Sequence, residues 1–294
     1  MEGLILGTLL IQKVGDNLLR ILSFSDIHGD LESFGIFIDQ LTNLIFDVVL
    51  IAGDIGNQKE AEVIVKKLAD FGKPILYVMG NWDSFHYDDI LEPATHLHLK
   101  HQIVGEWIFL GYSGSAANGY KNHPTLSNSH ATYKSNRRRN KQKFGSFENY
   151  CKTLICEELS DYISMHKIDV EDLVLLTHDR LYSLPFFPLL YVFGHRHQPK
   201  YTRHKGVHLV NTAAISMYSP FSRTPIDTPG NFCLIELDGM DCQVDFNKIS
   251  SPYVRRPDPT IPGLYHFISS KTGEDVGVIF EDSGDDFGET GGHS

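Results

Sequence analysis

Of 294 residues only four are cysteine (Cys151, Cys156, Cys233, Cys242), and no two stand in a C-x-x-C spacing. That excludes a disulfide framework or a thiolate zinc site and predicts reduced, mostly buried thiols. Long hydrophobic runs are absent as well. The opening run Leu4–Ile11 is too short to span a bilayer, and no basic segment precedes it. It reads as a strand, which predicts a cytoplasmic protein with no membrane partner. Positive charge is in deficit: 26 Lys and Arg against 37 Asp and Glu give a formal net charge of −11. Nucleic acid is therefore not the default partner. Seven acidic residues between Glu274 and Glu289 concentrate much of that excess in the C-terminal tail. No internal repeat is visible. What remains, 41% apolar and 21% charged residues, is the composition of a soluble globular chain long enough for a full core.

Five short apolar runs stop abruptly at a side chain that can bind metal. ILSFS (21–25) runs into Asp26-Ile27-His28, VVLIA (48–52) into Gly53-Asp54, and ILYVM (75–79) into Gly80-Asn81-Trp82-Asp83. LVLLT (173–177) runs into His178, and LLYVF (189–193) into Gly194-His195-Arg196-His197. Continuous apolar runs of this length read as strands buried on both faces. In open sheets of such strands, ligands sit beyond the carboxyl ends. One strand ending in Asp or His means little, since a turn residue is expected there. Five in succession predict one composite site.

Between the strands, Ser33–Leu44 and Ala61–Phe71 carry apolar residues at helical spacing, so the first part reads β-α-β-α-β, a parallel sheet with crossover helices. Trp107–Tyr112 is a further strand, and Phe147–His166 a long amphipathic helix. After His197 short strands follow at Lys200–His204, Val207–Asn211, Phe232–Leu237 and Gln243–Phe246. The expectation is two mixed sheets packed together with helices outside, over residues 1–250. Ser113–Gly145, polar and without a clear period, predicts an inserted loop or partly ordered lid. Residues 251–294 form an extension: a hairpin of Leu264–Ile268 and Val276–Phe280, then a disordered acidic tail from about Asp282.

Asp26 and His28 are two apart, as are His195 and His197, so each pair can face one site from an extended strand end. Carboxylate, amide and imidazole donors suit Mn²⁺, Fe or Zn²⁺. Seven candidates (Asp26, His28, Asp54, Asn81, His178, His195, His197) exceed one tetrahedral ion and suit two ions bridged by a carboxylate. Two metals about 3.5–4 Å apart can stabilise both the attacking and leaving oxygens of a displacement at phosphorus, the water between them becoming the nucleophile.

These blocks, in this order, resemble the calcineurin-like metallophosphoesterase family over roughly residues 20–248. The resemblance implies a four-layer α/β/β/α sandwich. It implies that Asp26, His28 and His197 hold one divalent ion, that Asn81, His178 and His195 hold the other, and that Asp54 bridges them. Manganese is the first expectation, with Fe, Zn, Ni or Mg as alternatives. Asn81 would also help hold a phosphate oxygen, and Asp54, Asn81 and Asp83 count among the catalytic residues.

One position departs. The family's third block usually reads Gly-Asn-His-Asp/Glu, and here the histidine is Trp82. That histidine is thought to stabilise the phosphorane or protonate the leaving oxygen; an indole cannot serve as that acid. Losing a general acid typically costs about 10²–10⁴-fold. His86 is a candidate substitute, although a surface role is the plainer reading. Trp82 could form a stacking wall for a nucleobase or aryl ester, or simply cover the metal site. No Arg-Gly pair follows Asn81, which disfavours a phosphoprotein phosphatase, and Asn211-Thr212-Ala213-Ala214 stands where small phosphodiesterases of the family often have Asn-Pro-Gly-Ser.

Lys134, Arg137, Arg138, Arg139, Lys141 and Lys143 form a basic run without an acid inside it. It reads either as a solvated surface or as a contact with nucleic acid or phosphate beside the metals. His96-Leu97-His98-Leu99-Lys100-His101 alternates, predicting imidazoles that share the face of an exposed edge strand. Gly29 permits a tight turn, and Asp30 is placed to cap the helix beginning near Leu31. The expected function is a dinuclear metal-dependent phosphoesterase, more a phosphodiesterase than a monoesterase, acting on nucleotide-derived esters or nucleic acid. The rival is a scaffold that keeps the fold for protein binding, as one retromer subunit resembling this family does.

Overall fold

The computed structural model describes residues 18–84, 91–115, 129–217 and 230–280. The expected strand Leu4–Ile11, His86 and the acidic tail lie outside them. β1 (Leu18–Phe24), α1 (Leu31–Leu41), β2 (Val48–Ala52), α2 (Gln58–Ala69) and β3 (Ile75–Val78) form the expected β-α-β-α-β unit, its three strands parallel. β4 (Thr95–His96) extends this sheet beyond β3. On the other side, β11 (Asn231–Asp238) runs antiparallel to β1 and pairs with β12 (Asp241–Lys248), giving the order β12-β11-β1-β2-β3-β4. β5 (His101–Val104), β6 (Trp107–Tyr112), β7 (Leu173–Thr177), β8 (Leu190–Phe193), β9 (Lys200–His204) and β10 (Val207–Asn211) make the second sheet, ordered β5-β6-β7-β8-β10-β9. α3 (Ser129–Ser135), α4 (Arg137–Phe144) and α5 (Phe147–His166) lie between β6 and β7 in the chain.

The all-apolar strand runs follow from what lies on each face. In β2, Val49 and Ile51 pack with Phe34, Phe37 and Leu41 of α1 and Ile64, Val65 and Leu68 of α2. Val48, Leu50 and Ala52 point the other way, into a core shared with Phe109, Val174, Leu176 and Val192 of the second sheet. On that sheet's far face, Leu110, Leu173, Leu175 and Tyr191 meet Cys151, Ile155, Leu159 and Ile163 of α5. Three cores separate four layers, so the central strands have no solvent face and no polar alternation. The result is the expected α/β/β/α sandwich.

Local signals set the helix starts. Asp30 Oδ1 accepts from Ser33 N at 3.0 Å, the predicted cap of α1. α2 begins three residues before the expected Ala61, because Asn57 and Glu60 form a reciprocal capping box. The first-turn residues Gln58 and Lys59 are exposed, so the apolar period that marks the helix starts only later.

Three expectations need correction. Within Ser113–Gly145, residues 129–135 and 137–144 are helical rather than an irregular loop. Arg, Lys and Gln are good helix formers, but α4 has no buried residue and therefore no apolar period to read. Tyr133 of α3 is buried against Phe147 and Tyr150, with ring centroids 5.3 and 5.4 Å apart. The His96–His101 stretch is not one strand. His96 ends β4 in the first sheet and His101 begins β5 in the second, with Leu97 buried at the crossing. His96 stacks on Tyr77 and its Nε2 lies 2.7 Å from Ser113 Oγ, so it is no exposed edge face. The C-terminal hairpin, β14 (Leu264–Ser269) and β15 (Asp275–Phe280), gains a third strand, β13 (Tyr253–Pro257). Tyr253 ties this small sheet to α1 by donating to Glu32 Oε2 at 2.9 Å. Among the described residues no helix is long and apolar enough to cross a membrane.

Candidate metal centre

β1, β2 and β3 are mutually parallel, as are β7 and β8. Because the two sheets face each other across a shared core, all five strand ends open onto one rim. The turns there are stitched together: Asp26 N donates to Gly53 O at 3.0 Å, and Ile27 N and His28 N both donate to Asp54 O at 2.9 Å. Asp26, His28, Asp54, His195 and His197 all have positive φ, between 50° and 70°. Non-glycine residues pay about 1–2 kcal/mol for that conformation, so the surrounding bonds must hold them there. Glycines precede three of the blocks for a steric reason. A Cβ on Gly80 would fall 2.0 Å from Asp54 Oδ1, and one on Gly194 would fall 2.4 Å from Ser25 Oγ.

Two groups of side chains converge. In the first, Asp26 Oδ1 lies 3.2 Å from His197 Nε2 and 3.8 Å from His28 Nε2, and the two imidazole nitrogens are 3.4 Å apart. Asp26 is completely buried. Its Oδ2 accepts from His195 N at 3.0 Å and lies 2.5 Å from Ser25 Oγ, while its Oδ1 and His28 Nδ1 are buried without a hydrogen-bond partner. In the second, His178 Nδ1 donates to Ala52 O at 2.7 Å, which leaves Nε2 facing the rim. Around that atom stand Asn81 Oδ1 at 3.0 Å, His195 Nδ1 at 3.1 Å and Asp54 Oδ2 at 3.2 Å. Asp54 Oδ2 also lies 4.0 Å from His28 Nδ1, so one oxygen faces both groups.

The convergence is one of lone pairs, and it fits cations. With Nδ1 committed to Ala52, only a proton or a metal ion at His178 Nε2 can satisfy its three neighbours together. Burial lowers the pKa of His178, but the Asp54 charge and hydrogen bond push it up to about 10. Burial likewise opposes Asp26 ionisation, yet the close His197 imidazole and the charges of His178, His197 and His28 hold its carboxyl well below the usual range. Burial lowers the pKa of His28 and His195, keeping those rings neutral and able to coordinate. Oxygen and imidazole donors without thiolate suit borderline-hard divalent ions.

The other candidate residues sit as follows. Asp83 accepts from four backbone N–H groups: Gly80 at 2.6 Å and Asp54 at 3.0 Å on Oδ2, Ile55 at 2.6 Å and Gly56 at 2.9 Å on Oδ1. It thereby ties the Asp54 turn to the Asn81 turn. Burial and the neighbouring Asp54 charge raise its pKa to about 7 against those bonds. Trp82 is 42% exposed, its ring edge-on to His28 at 5.9 Å, and its backbone N–H donates to Asp54 Oδ1 at 2.8 Å. Arg137, Arg138 and Arg139 are exposed on α4 and make no ion pair among the described residues. Sequence reasoning missed Ser25, whose hydroxyl accepts from Thr212 Oγ1 at 2.8 Å beside Asp26, and the Ala52 carbonyl that orients His178. No sequence signal marks either, because the partners are 187 and 126 residues away.

The family described as the calcineurin-like phosphoesterase superfamily domain matches residues 19–238. No curated protein matches the chain in sequence. Among solved structures, TT1561 of Thermus thermophilus is 13% identical with a TM-score of 0.53, over 79% of this chain and 100% of that one. Yfce, a phosphoesterase from E. coli, is 13% identical with a TM-score of 0.39, over 90% and 100%. Vacuolar protein sorting 29 of Cryptosporidium parvum is 15% identical with a TM-score of 0.40, over 80% and 99%. At 13% identity, the likeness to TT1561 speaks to the fold alone.

Proposed function

The chain belongs to the calcineurin-like phosphoesterase superfamily, and from that premise we propose that it is a dinuclear metal-dependent phosphodiesterase. The observation that carries the reading is Asp54 Oδ2, one buried carboxylate oxygen facing His178 Nε2 at 3.2 Å and His28 Nδ1 at 4.0 Å. Asp26, His28 and His197 would hold one ion, Asn81, His178 and His195 the other, and Asp54 would serve both. Bound there, two divalent cations supply Lewis acidity toward the phosphoryl oxygens and an activated water for in-line attack. The mixed oxygen and imidazole set makes Mn²⁺ the first choice.

The protein's own part is orientation. Ala52 fixes the tautomer of His178, His195 N–H and Ser25 turn Asp26 so that Oδ1 faces the rim, and Asp83 sets the spacing of the Asp54 and Asn81 turns. Asp83 is therefore a positioning residue rather than a proton donor: all four of its contacts are to backbone N–H groups. Asn81 Oδ1 is engaged with the second group, which leaves its amide N–H₂ for a phosphate oxygen. Trp82 brings an aromatic edge to the rim where the family usually has an acid. A leaving group at that point departs without protonation from this position, which favours a good leaving group; the diester reading rests on the resemblance, since replacement of that histidine accompanies diesterase-type activity in the family.

The test is direct. Purified protein loaded with Mn²⁺ should carry about two ions per chain and hydrolyse bis-p-nitrophenyl phosphate faster than p-nitrophenyl phosphate. A chain that keeps the fold only for protein binding would hydrolyse neither ester. Trp82→His should raise the monoester-to-diester rate ratio; an unchanged ratio would remove the basis for the diester preference.

Nucleotide-derived esters, including single-stranded nucleic acid, are the proposed substrates. What supports this is α4, which exposes Arg137, Arg138, Arg139, Lys141 and Lys143 with no acid among them. Changing the three arginines to Gln should raise KM for single-stranded DNA and reduce the slope of log K against log salt by about one unit per lost phosphate contact. Turnover of the small nitrophenyl esters should stay as in the wild type. Equal salt slopes would make α4 a solvated face only.

A further inference from the structure

Arg180 follows His178 by two positions, yet among the described residues its charge meets no anion. Its guanidinium lies over the ring of Tyr182 at 4.9 Å and over that of Phe193 at 5.5 Å. Its Nε is buried without a hydrogen-bond partner, and the side chain makes no ion pair among the described residues. Nearby, by contrast, the protein pairs its cation: Lys152 meets Glu148 at 2.7 Å and Asp179 at 3.2 Å.

Arg180 also lines a cavity of about 280 Å³ on the outer side of the second sheet. The segment joining β7 to β8 contains no helix and passes Phe186, Phe187 and Tyr182 along that cavity. Phe187 is 53% exposed and Tyr182 57%. At the β9–β10 turn, Lys205 lies over the Phe187 ring at 5.8 Å, with His204 next to it. Among the described residues no acidic side chain lines the cavity, although the chain carries a formal charge of −11. The site thus combines apolar walls, two permanent cations and an unmet buried donor.

We infer that this cavity binds a small amphipathic anion, a ring-sized apolar body bearing a carboxylate or a phosphate. Both headgroups present the paired oxygens that a guanidinium fork grips. Stacking between Tyr182 and Phe193 already holds the fork in place, so little side-chain entropy is lost on binding. Lys205 supplies the second charge and the aromatic walls cover the apolar body. The metal groups approach the rim through His178 and His195, whereas this cavity reaches β10 through Val207 and Leu209. The anion is therefore not the phosphoester at the metals. Because Arg180 is two residues past His178 and its packing partner Phe193 two before His195, occupancy bears on the segments that carry both ligands.

Isothermal titration of the full-length, Mn²⁺-loaded protein with phenylacetate, phenylphosphonate and benzyl alcohol tests this. Both anions should bind more tightly than the neutral alcohol, and the tighter of the two identifies the preferred headgroup. Arg180→Met keeps the apolar stem and should weaken anion binding by about tenfold or more. Lys205→Gln, an exposed position that leaves the core untouched, should weaken it by a smaller factor. Asp54→Ala, which disables the metal groups, should leave it unchanged. The inference fails if neither anion outbinds benzyl alcohol, or if both cavity variants bind as the wild type does. It also fails if Asp54→Ala abolishes binding, since the anions would then be at the metals.

Discussion

Two regions of this molecule gather aspartate and histidine, and they are built in opposite ways. In the C-terminal sheet, His266 sits between Asp258 at 2.9 Å and Asp275 at 2.5 Å, with one ring nitrogen for each carboxylate. Asp258 Oδ1 is further occupied by Thr260 and Ile261, so the trio's charges are met within the protein. At the rim, nitrogen faces nitrogen at 3.4 Å and 3.1 Å, and Asp26 Oδ1 has no hydrogen-bond partner. Donor types alone do not distinguish the two regions. What distinguishes them is that burial at the rim leaves lone pairs unmet, and backbone held at positive φ keeps them pointed at one another. Lone pairs held together in this way are what a cation, whether a proton or a metal ion, resolves.

The sharpest way to break this contrast is to remove the shared carboxylate. Asp54→Asn should abolish hydrolysis, leaving less than about a tenth of wild-type turnover, and lower metal content measured by inductively coupled plasma mass spectrometry. His266→Gln should change neither. If His266→Gln lost metal as Asp54→Asn does, the distinction drawn between the regions would be wrong.

A smaller effect is expected behind the rim. Asp83→Asn keeps the shape but replaces one acceptor oxygen with a donor facing backbone N–H groups. Activity or metal affinity should fall about 10–100-fold, the usual range for groups that orient ligands without touching the ion. Metal added in excess should recover part of the lost rate, a response that a missing proton donor would not show.

The smallest effect belongs to the surface trio and concerns pH. Hydrogen bonds to Asp258 and Asp275 raise the pKa of His266 above its ordinary 6.5, while the bond to His266 lowers that of each carboxylate below its ordinary 3.8. The histidine's contribution is full below 6.5 and is lost as pH rises through its raised value. The carboxylates' contribution is full above 3.8 and is lost as pH falls through their lowered values. The clamp is therefore complete between those two ordinary values. Hydrogen exchange of β14 and β15 amides, compared with His266→Gln at matched pH, should show protection a few-fold greater in that window. The difference should vanish at alkaline pH. Protection that stays constant into alkaline pH would contradict the trio's charge.

Much of this architecture was open to sequence reading. Apolar runs as continuous as Val48–Ala52 or Leu173–Thr177 read as strands buried on both faces, and Phe147–His166 repeats its apolar residues at helical spacing. The seven candidate ligands at the rim could be named because each stands at or just past the end of such a run. α4 could not be read as a helix, since without a buried face its propensity leaves no periodic trace. Nor could the break between His96 and His101 be seen, because alternating imidazoles look alike whether they stay in one sheet or cross between two.

By itself, then, the sequence determined where buried strands stop and which donor stands at each stop, because burial and local chain geometry are properties of a few consecutive residues. Only the tertiary structure decided which donors remain unmet. That Asp83 has all four of its bonds to backbone N–H groups while Asp26 Oδ1 has none depends on partners from distant turns. The same holds for Arg180, which among the described residues meets no anion once Phe193 and the β9–β10 turn have folded around it. Hydrogen-bond satisfaction is a sum over neighbours in space, and the chain supplies those neighbours only when it has closed both sheets upon one another.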